Sequence, residues 1–247
     1  MKHRMLLFLS GMSLLLITPV KSAQAAPLEI NFPDGTDSLT SSIDIFIMVT
    51  LLSLLPPLLI MLTSYVKIIV VLALTRNAIG TATTPPNIVI SGIAIVLTLF
   101  VMNPIINEIK TEAYEPYKGG EIEITEAIDI AKVPLQEFLV DNSDEKVIQM
   151  YLNVSGYEGE LQTKEDVPFL VSMASSVTTQ LTQALGMGAL IMLSFLVIDM
   201  IVGTVLMFLG MIMLPPQMIS LPIKIITFLA AGGFTFIIEV LLEGIVI

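Results

Sequence analysis

Residues 197–224 read VIDMIVGTVLMFLGMIMLPPQMISLPIK. One acid, Asp199, lies inside an apolar run, and Met207, Met211, Met213 and Met218 crowd around the Pro215-Pro216 pair before the stretch closes on Pro222 and Lys224. Lipid-facing filler needs none of these residues. A carboxylate at membrane depth is expensive and by default marks a functional site. This stretch therefore sets the class: a helical membrane protein whose function resides in a broken apolar helix.

Composition agrees. Of the 247 residues, 55% are hydrophobic and 13% charged, where soluble domains carry about 25% charged residues; mean hydropathy is +0.90. With no cysteine and a single histidine, His3, thiolate, disulfide and most imidazole chemistry is excluded. No phosphate-binding glycine loop, nucleophile elbow or HExxH is present, so neither an enzyme nor a cofactor is expected. Net charge is −11, and 15 of the 22 acids fall between Asn107 and Pro168 against five lysines. Such a face is solvated and repels nucleic acid.

The chain divides into five parts. Residues 1–25 read as a cleavable signal peptide, with Lys2, His3 and Arg4 ahead of an apolar core and Ala23-Gln24-Ala25 at its end. A polar extracytoplasmic linker follows at 26–43. Apolar stretches at 44–66, 88–106, 184–213 and 217–245 each suit a bilayer crossing of about 20 residues. The expected fold is thus an all-α membrane protein with four hydrophobic helical segments in kinked hairpins, at 44–106 and 184–247. A helical acidic extracytoplasmic domain at 107–183 separates them. Lys67 and Arg76 in a 67–87 loop, and Lys224 in a 214–224 loop, put those loops inside by the positive-inside rule. In the acidic domain Ile122, Ile124, Ala127, Ile128, Ala131 and Leu135 recur at helical spacing, as do Phe138, Val147, Met150 and Tyr151. Gly119-Gly120 and Asn142-Ser143-Asp144 mark turns, and Thr163 with Asp166 resembles a capping box.

Three proline pairs sit near span boundaries. Thr84-Pro85-Pro86-Asn87 fits an ordinary helix start. Pro56-Pro57 falls inside an apolar stretch, where lost backbone bonds predict a kink or a broken, re-entrant helix; Pro215-Pro216 predicts a second break. Lys67 reads either as a cytoplasmic anchor that snorkels or as a buried functional charge. Asp199 has no partner nearby in sequence, so a structural ion pair with Lys67, Arg76 or a cation of another chain is expected ahead of an ion relay. Glu239 and Glu243, at i,i+4, read as solvated helix-end charges. The methionines are ordinary packing in one chain, but in a ring of copies they would form a hydrophobic constriction.

Taken in order, LLSLLPPLLIM (51–61), TSYVKIIVV (63–71), RNAIGTATTPPN (76–87), Asp166-Val167-Pro168, Ile198-Asp199 and the 207–224 run resemble the FliP family of flagellar type III export-gate proteins. The SctR family is its virulence-secretion counterpart. The resemblance covers the chain from about Phe46 onward. It implies a non-enzymatic subunit of the bacterial inner membrane, in the flagellar basal body: a homo-oligomer, as a pentamer, with FliQ and FliR, beside FlhA and FlhB, passing exported flagellar proteins. It further implies that the apolar hairpins pack into a conical assembly, with Met207, Met211, Met213 and Met218 in the closed gasket and Asp199 a structural or gating charge. Two departures stand out. Gln180 and Thr182 occupy positions where the family carries a glutamate and a lysine, and Gly233-Phe234 replaces Gly-Trp. The alternatives are a virulence-type subunit and a small secondary transporter coupling through Asp199.

Overall fold

The computed structural model describes residues 38–81, 83–157, 159, 163–211 and 213–246. The expected signal peptide and most of the linker lie outside them. The chain divides into two units, 1–48 and 49–247; among the described residues the first contributes the opening of α1 (Ser38–Met61), and the packing described below belongs to the second. The order continues with α2 (Tyr65–Ile79), α3 (Asn87–Ile109), a π-helical turn (Lys110–Tyr114), α4 (Glu115–Gly119), α5 (Ile124–Asp141) and α6 (Glu145–Ser155). A 3-10 turn (Lys164–Asp166), α7 (Phe169–Phe208), α8 (Pro216–Ala230) and α9 (Gly233–Glu243) complete it. All regular structure among the described residues is helical.

Among the described residues two helices are long and apolar enough to cross a membrane, Asn87–Gly119 and Phe169–Phe208, and there are up to four if each bent pair is one span. The bent pairs are Ile45–Met61 with Tyr65–Ile79, at 67°, and Pro216–Ala230 with Gly233–Glu243, at 59°. The first bend corrects the break expected at Pro56-Pro57. α1 stays helical through both prolines, which remove the donors for the Leu52 and Ser53 carbonyls. Side chains from Val49 to Met61 are all exposed. The turn comes at Leu62–Ser64 instead. There the Thr63 hydroxyl donates to the Ile60 carbonyl (3.3 Å) and accepts from the Tyr65 N–H (3.4 Å), which diverts the backbone from the helical ladder.

A second correction concerns the cations. Lys67 and Arg76 lie on α2, not in a loop, and Lys224 lies within α8. All three are buried. The sequence YVKIIVVLALTRNAI remains helical because its apolar residues cover most of the cylinder and both cations find polar partners inside. Charges enclosed by protein do not report which side a loop faces, so these three no longer support the assigned orientation.

α2 is the central helix. Its most extensive contact is with α7, and α3, α8 and α9 also pack on it. Ile68, Val71 and Leu72 are at most 1% exposed, and burying each contributes roughly 1.5–3 kcal/mol. α3 buries Ile90, Ala94, Thr98, Val101 and Ile105, a stripe at helical period, and leaves Ile95, Val96, Leu99 and Phe100 outside.

With 40 residues, α7 is about 60 Å long at 1.5 Å per residue, twice the roughly 30 Å of a bilayer core. It therefore serves two environments. Its first half buries Ser172, Ser175, Ser176, Thr179 and Gln180, and the α5–α6 segment packs against the helix. Thr179 Oγ1 accepts the Asp144 N–H at 2.9 Å, and the Tyr151 and Thr178 hydroxyls meet at 3.0 Å. The border expected at 183/184 falls inside this helix, and that at 106/107 falls inside α3.

In the acidic segment the turns at Gly119-Gly120 and at 142–144 occur as expected. The capping box forms as well, the Asp166 carboxylate accepting the Thr163 N–H at 2.7 Å. The helical phase differs from the expectation: Ile124 and Ile128 face out, and α6 buries Ile148 and Leu152 rather than Met150. Asp141 accepts a hydrogen bond from Lys164 at 2.5 Å, which holds that ammonium above the usual lysine range. Both side chains are solvated, so the pair adds little stability.

α2 approaches α7 tightly at Gly188, where an added Cβ would lie 2.2 Å from Leu74 Cδ1 and 2.8 Å from Leu74 Cβ. Gly188→Ala should force the helices apart and cost about 1–3 kcal/mol, read by denaturant unfolding in detergent. Adding Leu74→Ala should recover part of that loss. Gly186→Ala, which meets nothing within 4 Å, should not destabilise.

Candidate functional site

α7 and α8 bring Asp199 and Lys224 together. Residue 224 points from α8 towards α7, and its Nζ donates to Asp199 Oδ2 at 2.5 Å. The Lys224 side chain is 9% exposed and that of Asp199 33%. This identifies the acid's partner and corrects the pairing expected with Lys67 or Arg76. Lys224 lies 25 residues from Asp199, and only the reversal between α7 and α8 makes them neighbours. Beside the pair a recess of about 450 Å³ opens between the end of α2 (Asn77, Gly80) and the start of α8 (Gln217, Ser220). A carboxylate already bonded to an ammonium is poorly placed as the free coupling group that a transporter would require.

Lys67 is held differently. It is 1% exposed, so the snorkelling reading does not hold. Its Nζ donates to Gln183 Oε1 at 2.8 Å and also to the Gly244 carbonyl. Gly244 caps the C-terminus of α9, where the helix dipole is negative and favours a cation. Lys67 takes part in none of the ion pairs among the described residues. Arg76 likewise uses neutral acceptors, donating from Nη1 to Asn87 Oδ1 at 2.5 Å and to the Pro85 carbonyl at 3.2 Å. It thereby ties the end of α2 to the start of α3. Glu239 and Glu243 are exposed, as expected of solvated charges.

The methionine segment forms the turn between α7 and α8. Gly210 has φ +77°, a left-handed conformation that disfavours any residue with a Cβ. Its N–H donates to the Met207 carbonyl, and the Met211 N–H to the Leu206 carbonyl, both at 3.0 Å. This is the Schellman pattern that closes a helix. α7 has already ended at Phe208; Pro215 then caps α8 and Pro216 is its first residue, so the pair opens a helix. Met207, Met213 and Met218 are 66%, 97% and 69% exposed, and Met211 is 39% exposed. Within one chain they do not pack as core. Gln180 is 2% exposed and donates to Ser176 Oγ at 2.9 Å. Thr182 faces out, bonded to the Thr178 carbonyl at 2.8 Å. A lysine in place of Thr182 would be exposed, whereas a glutamate in place of Gln180 would be buried.

Breaking a buried pair strands the remaining charge. Asp199→Asn and Lys224→Met should each destabilise by roughly 1–3 kcal/mol, with partial exposure of Asp199 lowering the figure. The double variant should lose less than the sum. Lys67→Met should add to Asp199→Asn without coupling. Denaturant midpoints of the wild type, the three single variants and the two doubles test this: coupling between 67 and 199, or its absence between 199 and 224, would contradict the geometry.

The family model described as the FliP family matches residues 48–241. The flagellar biosynthetic protein FliP of Pectobacterium carotovorum subsp. carotovorum is 38% identical, over 86% of this chain and 82% of its own length. The protein of the same name from Bacillus subtilis is 34% identical, over 84% of this chain and 94% of its own. That from Aquifex aeolicus is 34% identical, over 87% and 90%. The match spans α2 to α8 and most of α1 and α9, and so takes in the Asp199–Lys224 pair, Lys67 and the methionine turn alike. Matched over most of its length and at this identity, the chain belongs to the FliP family.

Proposed function

We propose that this chain is a structural, non-enzymatic subunit of the flagellar type III protein export gate, embedded in the bacterial inner membrane at the flagellar basal body. The observation that carries the reading is the family match across 48–241, joined by relatives whose name is that of a flagellar biosynthetic protein. The exposed apolar surface supports it. α1 from Val49 to Met61, the outer face of α3 and the second half of α7 present large hydrophobic side chains that only lipid or other subunits can cover.

In this reading several copies surround an axis, together with FliQ-like and FliR-like subunits and beside FlhA-like and FlhB-like ones. The turns holding Met207, Met211, Met213 and Met218 meet as a ring. Methionine suits that place because an unbranched, polarizable side chain seals a gap and still deforms when a polypeptide passes. The ring excludes water by closing, as hydrophobic constrictions do. Asp199 and Lys224 fix the two helices on either side of the turn, so their role is to hold the ring's geometry. The acidic α5–α6 segment lies on the extracytoplasmic side, and exported flagellar proteins pass through the axis.

The test is complementation of a bacterium lacking its own copy of this chain. The wild-type chain should restore motility and co-purify as a homo-oligomer with the other gate subunits. A stable monomer without affinity for them would refute the proposal. Met211→Ala with Met213→Ala should leave assembly intact and make membranes leak small ions. Unchanged permeability in the assembled complex would reduce these methionines to packing.

A further inference from the structure

Residues 244–246, just beyond α9, are held from two directions. Asn142, 8% exposed at the end of α5, grips the backbone of Val246 through both ends of its side-chain amide. Its Nδ2 donates to the Val246 carbonyl at 2.8 Å, and its Oδ1 accepts the Val246 N–H at 3.1 Å. The same Nδ2 donates to the Phe138 carbonyl at 3.0 Å, which anchors the amide in its own helix. On the other side the Gly244 carbonyl accepts from buried Lys67, and between them Ile245 is 5% exposed in the core. A two-point bond to main chain, across 104 residues, fixes orientation as well as distance.

α8 and α9 form a bent arm that begins directly after the methionine turn. Its near end is pinned to α7 by Lys224 and Asp199. Its far end is pinned to the α5–α6 segment through the tail, by Asn142. Val246 is otherwise 53% exposed, so apolar burial does little to hold it. Asn142 also turns the chain from α5 towards α6, and α6 is tied to α7 through Asp144 and Tyr151. The acidic segment and the arm therefore share one joint.

We propose that Asn142 is a positioning residue: its amide clasp on Val246 couples the α5–α6 segment to the whole α8–α9 arm. The clasp sets where the arm sits, and through the arm it sets the turn holding Met213 and Met218. The consequence for gating rests on the export-gate reading; the clasp itself does not.

Hydrogen exchange of the full chain in detergent tests the clasp independently of secretion. Asn142→Ala should speed exchange several-fold through α9 and into α8, while the α2–α7 pairing stays protected. Val246→Pro removes the tail's N–H, restricts the backbone at 245–246 and leaves Asn142 and its bond to Phe138 in place; it should act in the same sense. Faster exchange confined to 244–246, or no change in the arm for either Asn142→Ala or Val246→Pro, would overturn the proposal. Motility of the same variants bears on the export-gate reading alone, so the two fail separately.

Discussion

The burial of Lys67 is the constraint around which the helices are arranged. An ammonium taken out of water without a carboxylate needs several oriented acceptors and a favourable field. Those come from two places at once: Gln183 on α7, and the negative end of α9, where the Gly244 carbonyl accepts. Meeting that need fixes α2 against α7 and brings the end of α9 back to the start of α2. The approach at Gly188 serves the same closeness, since only a residue without a Cβ fits under Leu74. Arg76 repeats the device at the other end of α2 with Asn87 and Pro85.

α7 divides the molecule chemically. Its first half carries serine, threonine and glutamine to the interior, where the acidic segment packs. Its second half is apolar outside and holds one acid, answered by Lys224. A helix about twice the thickness of a membrane core can join a hydrophilic segment to an apolar bundle without an intervening linker. Among the described residues much of the remaining hydrophobic surface is left exposed, as are Met207, Met211, Met213 and Met218 around the turn. A subunit built to be completed by others has that distribution of apolar area.

Helix existence was legible from the residues. Apolar length marked α1, α3, α7 and the α8–α9 pair, turn residues placed Gly119-Gly120 and 142–144, and Thr163 with Asp166 announced the cap. Phase and bends were harder to read. A proline pair says that donors are missing, not that a helix must stop, and α1 passes through Pro56-Pro57 before Thr63 diverts it. Lys67 and Arg76 resembled loop charges because a lysine in an apolar run gives no sign of whether acceptors wait inside. The Asp199 partner was in the quoted stretch throughout, yet spacing alone cannot tell that a chain reversal brings residue 224 to residue 199.

By itself the sequence determined the class, the family resemblance and the residues worth watching, because hydropathy, helix periodicity and ordered motifs are local properties of the chain. Tertiary structure decided which charge meets which, that Lys67 is capped by a helix end rather than an acid, and that Asn142 holds the tail. Each of those depends on contacts between residues 25 to 177 positions apart. Separations of that order are closed by packing, and packing is a property of the folded whole.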